Sequence, residues 1–365
     1  MSSQRAIPCL VLRGGTSKGL YFHARDLPED VATRDAVLLA AMGSPDVREI
    51  DGMGGGHPLT SKVAVIRPST RPEIDVDYLF LQVWPDRAEV SDNQNCGNLL
   101  AGVGPFALEE GIVGASGEVT SVRIWMENTH SAAVARIETP GGVVNYTGAA
   151  HIDVVPGTSA AIPVEFLDVA GSTCGALLPT GHAMDVVEGV QVTCIDNGMP
   201  VVCLRAEDVG ISGYEEPRAI ESNVAVCEKV EEIRLAAGRM MNLGDVTNKT
   251  VPKVTLLAPA KDGGVVTTRT FIPKKVHEAI GVFGAVSVAT ACLIPGSVAF
   301  DLAGLGVSEG TRTLEIEHPT GYFSVTLEVS VRDGVVAVVS AALLRTARLL
   351  MRGDVFVPIS TWPTP

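Results

Sequence analysis

Three short segments of this chain recur later in it, in the same order and at nearly the same distance. "GLYFHARDLP" (19–28) resembles "MPVVCLRAEDVG" (199–210), with Ala24, Asp26 and Leu27 matching Ala206, Asp208 and Val209 at an offset of 182. "TSKVAVIRP" (60–68) resembles "VPKVTLLAP" (251–259), which sets Lys62 over Lys253 at an offset of 191. "GNLLAGVGPFALEEG" (97–111) resembles "GVFGAVSVATACLIPG" (281–296) at an offset of 184. One such match can arise by chance. Three in order, with offsets differing by only a few loop residues, indicate a duplicated architecture. The expected organisation is two similar domains, 1–184 and 185–365, each with its own core. Domain junctions are favoured ligand positions, so the expected active site is the cleft between them.

Each half carries short Val-rich runs separated by Gly and Pro, such as "PCLVLRGG", "KVAVIRP", "VDYLFLQVWP" and "VTCIDNGMPVVCL". These read as strands. Helical patterns are few: 33–42, 97–110, 228–240 and 281–293. The fold class is therefore α+β, dominated by strands. Seven cysteines, an odd number with no C-x-x-C pair, argue against a disulfide framework or a zinc site and fit a reducing cytoplasm. No run of about 18 apolar residues marks a membrane span. Nucleic-acid binding needs a basic footprint, and in a chain of net charge −14 none shows. The same charge repels anions, so an anionic substrate needs a local site that overcomes the global field.

Cys96 stands where the 97–110 helix begins, among Asn93, Gln94, Asn95 and Asn98. Helix N-termini present unpaired N–H groups and a positive dipole end, and such places draw a thiol from about 8.5 into a range of roughly 3.5 to 7.5. The alternative, a small core hydrophobe, suits Cys203 and Cys292 in their apolar runs better. Lys62 follows a glycine-rich approach, Gly52, Gly54, Gly55 and Gly56. A lysine at a strand entrance is commonly solvent-facing. Glycines permit close ligand approach, however, and a desolvated lysine can serve as a base. "LRGGTSKGLYF" (12–22) has the wrong order for a phosphate loop, and a strand follows it. It reads either as a nest of N–H groups at Gly14 and Gly15 with the Thr16 and Ser17 hydroxyls, suited to a carboxylate, or as a plain hairpin turn. "CIDNGMPVV" (194–202) is its counterpart and offers Asn197 and Gly198.

Together these stretches resemble the PrpF-like isomerase family: "RGGTSKG", "GGGHPLTSK", "NCGNLLAGVGPFA", "LLPTGH", "DNGMP" and "GAVSVATACLIPGS" follow its motifs in its order, from about residue 7 to 357. "MGSPDVREIDGMGG", "DVDYLFLQV" and "MNLGDV" look closest to the 4-oxalomesaconate tautomerases, which serve 4,5-cleavage of lignin-derived gallate and protocatechuate. The resemblance implies a diaminopimelate epimerase-like fold, two pseudo-symmetric domains of mostly antiparallel strands around a central helix. It implies a cofactor-independent, metal-free 1,3-allylic proton shift in an unsaturated oxo-tricarboxylate, with Lys62 and Cys96 as catalytic residues. Donors to the substrate would come from Gly14, Gly15, Thr16, Ser17, Ser61, Asn95, Gly97, Asn98, Asn197 and Gly198. The basic stretch Arg269, Lys274, Lys275 and His277 would add charge. The partner implied is a small polycarboxylate, with no nucleic acid and no membrane, and a homodimer is compatible with it.

The sequence departs from the tautomerase pattern in four places. Gly56-His57 replaces Ala-Asp, His182 replaces Asn, His130 replaces Gly, and Lys274-Lys275-Val276-His277 replaces His-Arg-Cys-His. With His57 and His182 in the site, the substrate could instead be a methylaconitate, aconitate or methylitaconate. An epimerase is disfavoured because Ile280 stands opposite Cys96, where that chemistry uses a second cysteine. A noncatalytic binding protein would not need the lysine–cysteine pair. A metal hydrolase lacks ligand spacing among the histidines.

Overall fold

The computed structural model describes residues 3–92, 96–167, 169–332 and 335–362. The chain forms two compact units, Met1–Leu167 with Leu344–Pro365, and Asp168–Leu343. The division expected at 184/185 is thus displaced, and hydrogen bonding gives the reason. Residues 169–184 bond to the 190–196 strand, through Gly171 N–H to Asp196 O at 2.7 Å and Asp196 N–H to Leu177 O at 2.9 Å. The C-terminal strand runs antiparallel along the first, from Gln4 opposite Pro358 to Gly14 opposite Ala347.

The first unit contains β1 (Gln4–Gly14), β2 (Ser17–His23), α1 (Val31–Met42), β3 (Lys62–Pro68), β4 (Val76–Val83), β5 (Val90–Ser91), α2 (Gly97–Leu100), α3 (Val103–Glu109), β6 (Val119–Met126), β7 (Ser131–Glu138), β8 (Ile162–Leu167) and β17 (Ala347–Pro358). β1 and β2 form a hairpin, β2 and β3 are parallel, β3 and β4 antiparallel, β4 and β6 parallel, and β6, β7 and β8 antiparallel. Asp30 starts α1 by accepting the Thr33 N–H, and Gly43 ends it in the left-handed region at φ 81°. The buried residues Val37, Leu38, Ala41 and Met42 of α1 cluster with Leu20, Phe22, Val63, Val65 and Leu81 on one sheet face. The other face takes α2 and α3. Tyr21 stacks on Phe106 at 6.1 Å between centroids, and a Cβ at Gly104 would lie 2.5 Å from Ile137 of β7. The missing side chain lets the sheet wrap closely round the helix.

The second unit contains β9 (Asp185–Val187), β10 (Val190–Asp196), β11 (Pro200–Arg205), α4 (Pro217–Glu221), α5 (Val224–Met240), β12 (Lys253–Pro259), β13 (Val266–Phe271), α6 (Val282–Ala291), α7 (Val298–Ala303), β14 (Gly310–His318), β15 (Gly321–Arg332) and most of β16 (Val335–Arg345). Its pairings repeat the first unit's: β10–β11 antiparallel, β11–β12 parallel, β12–β13 antiparallel, β13–β14 parallel, and β14–β15–β16 antiparallel. Val226, Val230, Ile233 and Ala237 of α5 pack on one face, as α1 does in the first unit, and α6 is buried along most of its length. The duplication therefore extends to the direction of every matched strand pair.

The expected 97–110 helix is broken into α2 and α3 at Ala101–Gly102. Two causes act there. Pro105 has no N–H for the Ala101 carbonyl. Tyr21 Oη donates to Leu99 O at 2.6 Å, occupying a carbonyl that a continuous helix would use. A Cβ at Gly102 would lie 2.3 Å from that hydroxyl, so glycine admits it. Among the described residues, no helix is long and apolar enough to cross a membrane.

Candidate active site

Strand register builds the site. β2, β3 and β4 align Gly19, Lys62 and Gln82 in one row, Tyr21, Ala64 and Phe80 in the next, and His23, Ile66 and Tyr78 in the third. Side chains along a strand alternate, so these rows share the face that carries α2 and α3. Lys62 is only 6% exposed. Its Nζ donates to Gln82 Oε1 at 2.8 Å and lies 4.9 Å from the centre of the Phe80 ring. The Gln82 amide is itself fixed, with Nε2 donating to the carbonyls of Pro58, Ser61 and Val83. An acceptor held by three carbonyls and an aromatic face together set the amine's position.

The helix start is seated on this row by glycines. A Cβ at Gly19 would lie 3.1 Å from Leu99 Cδ1, one at Gly14 would lie 2.5 Å from Asn98 O, and one at Gly15 would lie 2.2 Å from Asn98 Oδ1. Cys96 caps α2, its Sγ accepting from Leu99 N–H at 3.5 Å and lying 4.0 Å from Ser17 Oγ. The hairpin reading of the 12–22 stretch holds: Gly14 pairs with Ser17 across a two-residue turn. Its N–H groups do not form an open nest, because Gly15 N–H donates to Thr346 O at 2.9 Å and Thr16 N–H to Asn98 Oδ1 at 3.4 Å. What the turn leaves beside Cys96 is the Ser17 hydroxyl.

Behind the thiol lie groups that local sequence did not indicate. Arg345 is buried; burial draws its guanidinium down to about 10, and the charge of Cys96 opposes that shift. Burial raises the Tyr21 and Tyr78 hydroxyls well above the usual phenol range, and the field of Cys96 adds to both. Tyr78 Oη is buried with no hydrogen-bond partner among the described residues. Gln82 had a visible signal, a lone amide in the apolar run "YLFLQV". Arg345 had none, since only the return of the chain to the first unit brings it near Cys96.

The glycine-rich approach is anchored by another unforeseen residue. Glu49 is buried, and its Oε2 accepts from Ser61 Oγ and, at 2.7 Å, from Gly56 N–H. Ser61 is thus committed to holding the loop before Lys62. His57 is exposed, and its Nδ1 accepts the Leu59 N–H at 3.1 Å. An aspartate carboxylate there could make the same bond two residues on, so the departure from the tautomerase pattern keeps the local turn chemistry. His130 sits at φ 51°, which explains the usual glycine.

Lys62, Cys96, Ser17, Ser61, Gly97 and Asn98 fall together in the first unit. Asn95 lies outside the described residues. Gly14, Gly15, Thr16 and His57 also belong to the first unit, and Asn197, Gly198, Arg269, Lys274, His277 and His182 belong to the second. Asn197 spends its groups on α6, with N–H to Ser287 Oγ at 3.1 Å and Nδ2 to Thr290 Oγ1 at 2.8 Å. Gly198 faces the Phe283 ring at φ 86°. Arg269 is buried, with Nε on Glu215 O and Nη1 on Thr268 O, a structural employment. His277 Nδ1 accepts from Ala279 N–H at 2.9 Å, while Lys274 and His182 are exposed. Among the described residues, no group of three or more His, Cys, Asp or Glu is arranged to hold a metal.

The family model described as "PrpF protein" matches residues 4–358. The chain is 64% identical over 351 residues to the (4E)-oxalomesaconate Delta-isomerase of Novosphingobium sp., covering 96% of this chain and 97% of that one. It is 58% identical over 362 residues to the 4-oxalomesaconate tautomerase of Pseudomonas putida, covering 99% of each. A crystal structure of methylitaconate-delta-isomerase is 35% identical, with a TM-score of 0.87 and full coverage of both chains. A hydroxyproline epimerase, 13% identical with a TM-score of 0.52 and covering 97% of this chain and 93% of that one, shares the fold.

Proposed function

Because the chain belongs to the PrpF family and is an isomerase, we propose that it catalyses a cofactor-independent 1,3-allylic proton shift in 4-oxalomesaconate or a close relative. The observation that carries this reading is the row Gly19–Lys62–Gln82 beneath the helix that Cys96 caps. The chemistry needs a movable proton and a place for negative charge. Lys62 takes the proton from the carbon flanked by the double bond and a carboxylate or keto group. The carbanion electrons spread into the conjugated oxygens, the double bond moves one position, and a proton returns two carbons away. No atom is gained or lost, and no electron acceptor is required. Gln82 and Phe80 keep the amine in place during both transfers. Cys96 and Ser17 stand as acid or electrostatic partner at the developing charge, where preorganised groups do most in such reactions.

The two relatives that act on oxalomesaconate by name support the substrate, and the local equivalence of His57 to an aspartate supports it further. A second reading, a methylitaconate-type substrate, draws on the likeness to the methylitaconate isomerase structure. Proton NMR in deuterated water, with a panel of unsaturated di- and tricarboxylates, decides between them. The expected result is double-bond migration in 4-oxalomesaconate with solvent deuterium entering at the newly protonated carbon. Turnover of methylitaconate alone would move the assignment, and no exchange with any substrate would overturn it.

A further inference from the structure

The face of the first unit's sheet opposite Lys62 holds three cations side by side. Pairing sets Lys18 opposite Arg13 on β2 and β1, and Arg13 opposite Arg348 on β1 and β17. Like charges directly opposite in a sheet are destabilising. None of the three has a carboxylate partner within ion-pair distance among the described residues. They line a cavity of about 650 Å³ together with Thr60, Thr147, Thr158 and Ser159, and its walls contain no Asp or Glu. Arg13 is held rigidly, with Nη1 donating to Gly15 O at 2.8 Å and Thr346 O at 3.0 Å, and Nη2 to Ser159 Oγ at 3.3 Å. Burial, and then the charge of Arg348, lowers the Arg13 guanidinium. In a chain of net charge −14, acids were abundant enough to neutralise this row, yet none stands there.

Uncompensated guanidinium and ammonium groups ringed by hydroxyls match an oxyanion, which would relieve the repulsion. The cavity also borders the site already described. Thr16 and Ser17 line it, and the Ser17 hydroxyl lies 4.0 Å from Cys96 Sγ. We propose that this cavity binds the carboxylates of a small polycarboxylate through Lys18, Arg13 and Arg348. Two sources share that chemistry: an outer carboxylate of the isomerase's own substrate, which rests on the function proposed above, or a second, non-reacting polycarboxylate, which does not.

Tricarballylate, a saturated tricarboxylate with no double bond to move, is the probe. Calorimetric titration of the full chain compares the parent with Lys18→Gln, Arg348→Gln and the double variant. Thermal melting confirms that each is folded, and Arg13 is left intact because it ties the turn to Thr346, just before β17. The double variant should bind at least about tenfold more weakly, the equivalent of roughly one charge-assisted contact. If the substrate's own carboxylate is the source, tricarballylate competes with substrate and the double variant raises KM by a similar factor while kcat changes less. If the anion is separate, tricarballylate alters the parent's turnover without competing, and the double variant loses that response. Equal affinity in parent and double variant overturns the inference whatever the turnover results. Because calorimetry does not read turnover, a failed NMR assay with intact calorimetric losses would sink the proposed reaction and leave the anion site standing.

Discussion

Lys62 and Lys253 hold the same place in two units of matching topology, and they differ in what surrounds them. Each is the first residue of its strand, and each pairs in parallel with the equivalent position on the preceding strand, Gly19 or Val201. Lys62 meets Gln82 and the Phe80 ring. Lys253 has no counterpart of Gln82, because β13 ends at Phe271. Burial draws its amine from 10.5 to about 8, and Arg234 adds to the fall. The nearby His277 ring is lowered too, by burial and then by Lys253 itself. A duplicated backbone has thus been given different surroundings for its two lysines. One unit provides an acceptor and an aromatic face that position an amine. The other buries its lysine and sets the Arg234 charge near it, which favours the neutral form.

The largest break in the comparison should come from paired substitutions. Lys62→Met is expected to lower kcat by at least about 10²-fold, the low end for general acid–base groups, whereas Lys253→Met should cost less than about a tenth of that. Steady-state rates on the substrate identified by NMR check both. Equal losses would mean that the second lysine shares the chemistry. Next in size is the positioning effect of Gln82. Gln82→Leu removes the acceptor and should reduce kcat about tenfold, the worth of one hydrogen bond, with KM moving less. Gln82→Glu, which restores an acceptor, should recover part of the loss. A Gln82→Leu enzyme with parental kcat would show that Phe80 alone suffices.

The thiols sharpen the comparison by setting Cys96 apart from the other six. Burial pushes Cys9 up to about 11 and Cys174, Cys194 and Cys292 up to about 12, raises Cys203 further, and also raises the half-buried Cys227. Limiting iodoacetamide near pH 7 should therefore modify Cys96 first, as read by peptide mapping. First labelling at Cys227 would contradict the placement.

The smallest effect concerns stability. A folded-state value near 8 against 10.5 means that, between those limits, the unfolded chain binds the extra proton at Lys253. The group's cost is therefore fully present below about pH 8 and is relieved as pH rises toward 10.5. Lys253→Met should melt a few °C above the parent at pH 7, on the order of 3 °C per kcal/mol for a domain of this size. That advantage should shrink by pH 10. A melting difference that does not vary with pH would mean that Lys253 is solvated.

Repetition and strand alternation made much of this molecule readable. The offsets of 182 and 191 placed Ala24 with Ala206 and Lys62 with Lys253, and in the structure these residues open matching short 3-10 helices and matching strands. Cys96 was legible as a cap because amides surround it and a helix follows. The break in that helix was harder to read, because the apolar run around Pro105 is continuous. The domain boundary was illegible because nothing local marks 347–358 as the strand that pairs with 4–14.

By itself the sequence determined the α+β class and the duplication, and it marked Lys62 and Cys96 as candidates. Those follow from spacing and residue chemistry, which act over a few positions. Tertiary structure alone decided that Gln82 fixes Lys62, that Glu49 anchors the loop before it, that Arg345 returns to lie near Cys96, and that Lys18, Arg13 and Arg348 stand in one row. Register and chain return made those choices. Neither is encoded within a short window, because each depends on which distant strand a backbone finds for its hydrogen bonds.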